Sequence, residues 1–298
     1  RWGLRAAAAA HNDVLARAAD LWGLEAAEKY FQVALASGGD DRADSRTYNI
    51  LIRAASRAGR PEGAQDYLAA MEYRGVDPSP HTYTAVVLAA AHSGEVAAAE
   101  GLLGEMAARF ALPPDRHTFH ALLKAYADRG LWEKAVAALR AMAVQGLRPD
   151  AYAYAIALDA CANARNLPAA RELWDEMRSP EGGNVTRPSV VAYNTLIKAA
   201  VRAGRTGEAH AVLAAMPGEG VPPDTTSFTT VMGAYASSGA PEDRAPVERL
   251  FHEMALRGAP PGRVTYHTLM KACVRRGEYR KALRYLRRMG SSGGDGEG

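Results

Sequence analysis

The sequence predicts an all-α chain, a solenoid of helix-turn-helix units of about 35 residues rather than one globular core, and three observations predict it. Seven of the nine methionines form a ladder: Met71, Met106, Met142, Met177, Met216, Met254 and Met289, with steps of 35, 36, 35, 39, 38 and 35 residues. A period of this size marks an array of similar supersecondary units. Most rungs are followed by Gly, an apolar residue and Pro, as in Gly75-Val76-Asp77-Pro78-Ser79, Gly146-Leu147-Arg148-Pro149-Asp150 and Gly220-Val221-Pro222-Pro223-Asp224. After each junction comes a small residue, an aromatic and a variable position: Thr47-Tyr48-Asn49, Thr82-Tyr83-Thr84, Thr118-Phe119-His120, Ala153-Tyr154-Ala155, Ala192-Tyr193-Asn194, Ser227-Phe228-Thr229 and Thr265-Tyr266-His267.

Residues 1–44 read as a degenerate helical repeat that caps the array, with helices at Arg5–Ala18 and Glu25–Leu35, apolar Leu15, Leu21, Tyr30 and Phe31, and a loop at Ser37–Asp44. An array needs an atypical unit to cover an exposed end. Seven repeats follow, at 45–79, 80–115, 116–150, 151–189, 190–224, 225–262 and 263–289. In 190–224, Tyr193, Leu196, Ile197 and Ala200 recur at helical spacing over about Val191–Ala203. Gly204-Arg205 breaks that helix, and a second covers about Thr206–Met216 with Ala209, Val212, Leu213 and Met216 inward. Pro222-Pro223 ends it, because proline cannot continue a helix. The glycine break recurs at Gly59, Gly94, Gly130, Gly239 and Gly277. Extra residues fall at Arg109–Pro114, Ser179–Asn184 and Ser237–Asp243, which are loop positions, so helix stacking survives. The Gly/Ser/acidic tail Gly290–Gly298 reads as disordered.

Composition narrows the function. Lys and Arg number 36 against 33 Asp and Glu, a net +3, so the charge total alone does not point to nucleic acid. Alanine is abundant, which favours close-packed helices. Cys161 and Cys273, the two cysteines, occupy matching places in their repeats and read as buried thiols, with neither disulfide nor zinc spacing. No apolar run reaches membrane-spanning length. The chain begins Arg1-Trp2, so a trimmed N-terminus is expected and a targeting peptide would be out of view.

These junctions carry a family resemblance. Met-x3-Gly-(Val/Leu)-x-Pro-(Asp/Ser) followed by Thr-Tyr-Asn resembles the consensus of the plain "P" type of pentatricopeptide repeat (PPR) proteins over about residues 45–289. The tetratricopeptide repeat shares the helix pair and lacks this junction. The resemblance implies a right-handed superhelix whose first helices bind single-stranded RNA, one base per repeat. Repeat proteins of this kind read each base with two or three side chains.

By resemblance, the readers are the fifth and last residues of each repeat: Asn49/Ser79, Thr84/Asp115, His120/Asp150, Ala155/Ser189, Asn194/Asp224 and Thr229/Gly262, with His267 lacking a clear partner. The second residues, which pack on bases, are Arg46, His81, His117, Tyr152, Val191, Thr226 and Val264. Asn194/Asp224 is expected to select U, Asn49/Ser79 C, Thr84/Asp115 G and Thr229/Gly262 a purine. Ala155 has no polar group and reads nothing. The implied trace is 5′-C-G-x-x-U-purine-x-3′. His120/Asp150 departs from the pattern, as do Arg, His and Tyr at second positions.

Charge patterning supplies a separate argument. Positions four and eight past the fifth residue share a helix face. They hold Arg53 and Arg57, Lys124, Lys198 and Arg202, and Lys271 and Arg275, the expected phosphate contacts, with gaps at Leu88, Asp159 and Gly233. His117-x-x-His120 has the spacing of a metal pair, but no third ligand is near and both fall on reader or stacking positions. Asp40, Asp41 and Asp44 form an acidic cluster better read as a loop ending in a helix cap. No phosphate loop, nucleophile elbow or deaminase signature appears, so no catalytic residue, cofactor or small-molecule substrate is expected.

Two functions stay open. One is an organellar RNA-binding protein, chloroplast favoured over mitochondrion on family frequency, that stabilises, processes, splices or supports translation of a transcript by covering it. The other is a structural subunit of an organellar ribosome or plastid transcription complex, binding protein or structured RNA. With up to seven cations engaged, single-strand binding would show a log–log salt slope near −5 at most, about 0.7 per phosphate, whereas a protein scaffold would show little.

Overall fold

The computed structural model describes residues 2–36, 43–110, 114–179, 187–238 and 244–292, and the described residues are almost entirely helical. Two compact segments, Arg1–Arg148 and Pro149–Gly298, divide the chain. The first holds α1 (Trp2–Trp22), α2 (Leu24–Ala36), α3 (Ser45–Arg57), α4 (Pro61–Tyr73), α5 (Pro80–His92), α6 (Val96–Phe110), α7 (Arg116–Asp128) and α8 (Trp132–Val144). The second holds α9 (Ala151–Asn163), α10 (Leu167–Arg178), α11 (Val190–Arg202), α12 (Thr206–Ala215), α13 (Thr225–Ser238), α14 (Arg244–Leu256), α15 (Arg263–Arg275) and α16 (Tyr279–Ser292). Met216 lies in a 3₁₀ turn that extends α12 to Glu219.

Within each segment the odd-numbered helices stack on one another, α1 on α3, α3 on α5 and α5 on α7, then α9 on α11, α11 on α13 and α13 on α15. Each even-numbered helix packs on its own partner and, except the last of each segment, against the first helix of the next pair. The helix-pair solenoid expected from the period is therefore the fold.

The junction motif has a local physical cause. Met71, Met142, Met216 and Met254 are fully buried, while their carbonyls accept from the N–H groups of Val76, Leu147, Val221 and Ala259 at 3.0 Å. The intervening Gly75, Gly146, Gly220 and Gly258 have φ of 70 to 76°. This is the Schellman closure, whose left-handed residue glycine supplies without a Cβ clash. The ladder thus couples a core-filling side chain to a helix stop in one motif. Met289, on the last helix, is only half-buried.

The second signature sets the next helix. Asp44, Ser79 and Asp115 sit at the N-caps of α3, α5 and α7 and accept from the N–H of Thr47, Thr82 and Thr118. Those threonines are fully buried and hydrogen-bond back to their caps. Each following aromatic is at most 7% exposed, and the ring of Tyr193 meets that of Trp174 edge-on at 4.7 Å.

First helices end the same way. At the break, φ is 67° for Gly59 and Gly130, 77° for Gly94, 74° for Gly204 and 73° for Gly277, while the 151–189 repeat places Arg165 there at φ 57°. Left-handed backbone costs a non-glycine residue about 1–2 kcal/mol, partly offset by glycine's larger unfolded-state entropy. Arg165→Gly is therefore expected to raise stability by about 0.5–1 kcal/mol, read as a higher urea midpoint at unchanged slope.

Several expectations shift. The first helix runs to Trp22 rather than ending at Ala18, and Leu21 and Trp22 are 70% and 71% exposed, so neither joins the Leu15 and Phe31 core. Helix α16 continues to Ser292, past the expected start of the disordered tail. Val212 is half-buried rather than core. Asp40, Asp41, Gly239 and the inserted residues 111–113, 180–184 and 239–243 lie outside the described residues, as does 293–298. Both cysteines are buried, and burial pushes the Cys161 thiol up to about 11 and that of Cys273 upward, which makes both poor nucleophiles.

Candidate nucleic-acid interface

All seven second residues, Arg46, His81, His117, Tyr152, Val191, Thr226 and Val264, are exposed. Tyr152, Val191 and Val264 are 57–67% exposed although their neighbours one residue on are core. The fifth residues lie one turn further in. Asn49, Thr84, His120, Asn194 and Thr229 are half-buried, His267 is exposed and Ala155 is buried. Capping puts the last residue of one repeat at the start of the next first helix. Ser189 and Asp150 cap α11 and α9 through Ala192 and Ala153, and Gly262 caps α15 without a side chain.

In the 190–224 repeat the pair is joined. Asn194 Nδ2 donates to Asp224 Oδ1 at 3.1 Å, and Ser227 Oγ donates to Asn194 Oδ1 at 2.6 Å. Asp224 also accepts from the Ser227 N–H at 2.8 Å. Burial pushes the Asp224 carboxyl up, but the bonds from Ser227 and Asn194 outweigh it and hold the group below its ordinary 3.8. Because a carboxylate only accepts, the amide nitrogen must face Asp224. Asn194 is left with one N–H and one carbonyl lone pair for a ligand.

The other repeats differ in what they offer. Asn49 Oδ1 is buried with no hydrogen-bond partner, and Asn49 lines two adjoining hollows. One, of about 510 Å³, includes Arg53, Arg57, His81 and Thr84; the other, of about 600 Å³, includes Asp44, Arg46 and Arg53. The Thr84 hydroxyl donates to the Pro80 carbonyl at 3.0 Å and that of Thr229 to the Thr225 carbonyl at 2.8 Å, so both present acceptor lone pairs. Asp115, held below 3.8 against its own burial by bonds from Thr118, is exposed.

One constellation was not foreseen. Asn12 donates to Asp44 at 3.0 Å and accepts from Thr47 Oγ1 at 2.7 Å, the arrangement of Asn194, Asp224 and Ser227. Asn12 is only 1% exposed, so here the same network clasps α1 onto α3 and presents no edge. The 32-residue spacing to Asp44 was the signal, hidden because Ala10-His11-Asn12 lacks the Thr-Tyr pair.

The cation stripe is largely engaged within the array. Arg57 pairs with Asp20 at 2.8 Å, Lys124 with Asp128 at 2.7 Å and Lys198 with Asp159 at 2.5 Å, and Arg202 donates to Asn163. Asp159, which had looked like a gap, is thus the partner of Lys198. In the last repeat Lys271 donates to Ser237 Oγ and Arg275 to the Ala236 and Ser237 carbonyls, which are neutral acceptors. Among the described residues no three His, Cys, Asp or Glu side chains gather where a metal could be held, and no helix is long and apolar enough to cross a membrane.

These features define an α-solenoid of repeats whose first helices carry, within each segment, polar and partly hydrogen-bonded positions. Residues 16–167 match the family described as the pentacotripeptide-repeat region of PRORP, 188–237 the PPR repeat family and 264–294 the PPR repeat. The chain belongs to the pentatricopeptide repeat family. It is 32% identical over 166 residues to a chloroplastic pentatricopeptide repeat-containing protein of Arabidopsis thaliana, covering 54% of this chain and 21% of that protein. It is 28% identical over 193 residues to the small ribosomal subunit protein mL103 (rPPR7) of the same plant, covering 63% and 45%. The chain therefore spans less than half the length of these relatives. The crystal structure of PPR10 from maize superposes with a TM-score of 0.67 at 27% identity, over 95% of this chain and 39% of that one.

Proposed function

We propose that this chain binds single-stranded RNA selectively, one base per repeat, and acts by occupying a short segment of an organellar transcript. The Asn194–Asp224–Ser227 network carries the reading. It fixes an amide so that one donor and one acceptor point outward, the complement of the N3–H and a neighbouring carbonyl of uracil. Ser79 can donate or accept, so it leaves the Asn49 amide free to turn and suit cytosine. The exposed second residues flank each position, where Tyr152, His81 and His117 offer rings to stack on bases. The organelle is supported by relatives named chloroplastic and mitochondrial. Occupancy requires no catalytic group.

Selection from a randomised single-stranded RNA pool tests this. Enrichment of C-G and, two positions on, U-purine supports base reading; binding without preference, or none, sinks it. The scaffold reading then leads, and two observations favour it as the alternative: one relative is a ribosomal subunit protein, and three of the seven stripe cations are already paired with acids.

That pairing makes an expected result of its own. Asp159→Asn keeps the shape but releases Lys198. RNA affinity rises several-fold and the log–log salt slope steepens by about 0.7, as one more phosphate is engaged. Titration at several salt concentrations reads both.

A further inference from the structure

Positive charge in this chain is gathered at one place. Nine of the 36 Lys and Arg and one of the 33 Asp and Glu fall within residues 263–292, so the other 268 residues hold 27 cations and 32 anions. Outside this last repeat the protein is net acidic, and most expected phosphate contacts there already face an acid. Inside it, Lys271 and Arg275 bond neutral oxygens rather than acids. Its one acid, Glu278, pairs with Lys281, which also reaches Glu248.

Helix α16 concentrates this charge on its surface. Arg280, Arg284 and Arg287 follow at spacings of four and three, so they form one stripe, about 10 Å long. All three are exposed. The face away from them, with Ala282, Tyr285 and Met289, turns inward, and the ring of Tyr285 meets Phe251 at 6.0 Å. Beside the arginines lies the exposed ring of Tyr279.

We infer that the Arg280–Arg284–Arg287 stripe is a second RNA contact, separate from the base-reading row, which grips the phosphate backbone of the strand continuing 3′ of the read segment. It rests on the proposed RNA reading and its polarity, which place the 263–289 repeat at the 3′ end of the segment that these repeats read. Charge complementarity identifies the occupant, since a polyanion is drawn to this exposed cationic stripe rather than to the net-acidic remainder of the chain. The stripe reads no sequence. It supplies electrostatic binding strength that the first helices of the earlier repeats, with three of their five stripe cations already paired with acids, offer less of.

The test compares three RNAs on the full chain: the read segment alone, the same with ten nucleotides added 3′, and the same with ten added 5′. The 3′ extension is expected to raise affinity roughly tenfold and steepen the salt slope by about 2, for three phosphates. The 5′ extension adds little. Replacing Arg280, Arg284 and Arg287 together by Gln, a surface change that leaves the core intact, removes the 3′ gain and leaves base preference untouched. Equal gains from both extensions, or a 3′ gain that survives the triple change, overturns the inference. So does a wild-type chain that binds anionic phospholipid vesicles through these arginines while its RNA affinity ignores them. Failure of base reading shows separately, as loss of preference within the read segment with the salt effect retained.

Discussion

Asp224→Ser moves the base selected by the 190–224 repeat from U towards C, with about a tenfold change in the U-to-C affinity ratio. The argument runs through the orientation of one amide. In the native network Asp224 accepts from Asn194 Nδ2, and Ser227 donates to Asn194 Oδ1. Uracil and cytosine present opposite donor and acceptor patterns at N3 and C4, so a locked amide distinguishes them. A serine hydroxyl can donate as well as accept and releases the lock, the arrangement proposed for Ser79 and Asn49. A bidentate base contact is worth about 1–3 kcal/mol of discrimination, which sets the scale. Asn194→Ala removes the contact altogether and flattens selection at that position. The sign of the pH dependence follows from the depressed Asp224 carboxyl. A lowered native pKa means that its contribution is complete above the ordinary carboxylate range and is lost as pH falls through the native value. U preference is therefore flat from pH 8 down to about 5 and weakens only in stronger acid. Competition binding of two RNAs differing at that base measures all of this, and an unchanged ratio in Asp224→Ser would show that the amide lock plays no part.

What the sequence made legible was local. Met-x3-Gly-apolar is readable because the buried side chain, the left-handed glycine and the closing hydrogen bond all lie within six residues. Thr-Tyr-Asn is readable for the same reason, since the cap, the core ring and the variable position occupy one helical turn. What escaped depends on neighbours about 35 residues away. The position of Lys198 announced a cation on the reading face; its partner Asp159 sits at the matching offset of the preceding repeat. Arg57 and Asp20 repeat that relation. Aligning charge between successive repeats, rather than along one helix, exposes both pairs. Asn12 escaped because its network survives without the flanking motif, and its burial converts a reading arrangement into a clasp. Arg165 is the converse case, where the local rule asks for glycine and the chain folds without it.

Tyr193→Ala should cost about 3–5 kcal/mol, the range for removing a large buried aromatic, and the loss should stay local. Tyr193 is 2% exposed and sits edge-on to Trp174, joining α10 to α11. In a repeat array, stability is close to a sum of repeat and nearest-neighbour terms, so damage at one interface need not be shared by the rest. Hydrogen exchange at amides of residues 190–216 should accelerate by a factor of about 10² to 10⁴, following that free energy, while α3 and α5 keep their protection. Tyr193→Phe is the control. Phe119 and Phe228 fill the same place in their own repeats, at 4% and 0% exposure, so the ring without the hydroxyl already satisfies this core. That variant should lose less than about 1 kcal/mol and keep Asn194 in position to select its base. A uniform loss of protection across both segments in Tyr193→Ala would show instead that the chain unfolds as one block. Base readers could then not be tuned one repeat at a time without disturbing the others.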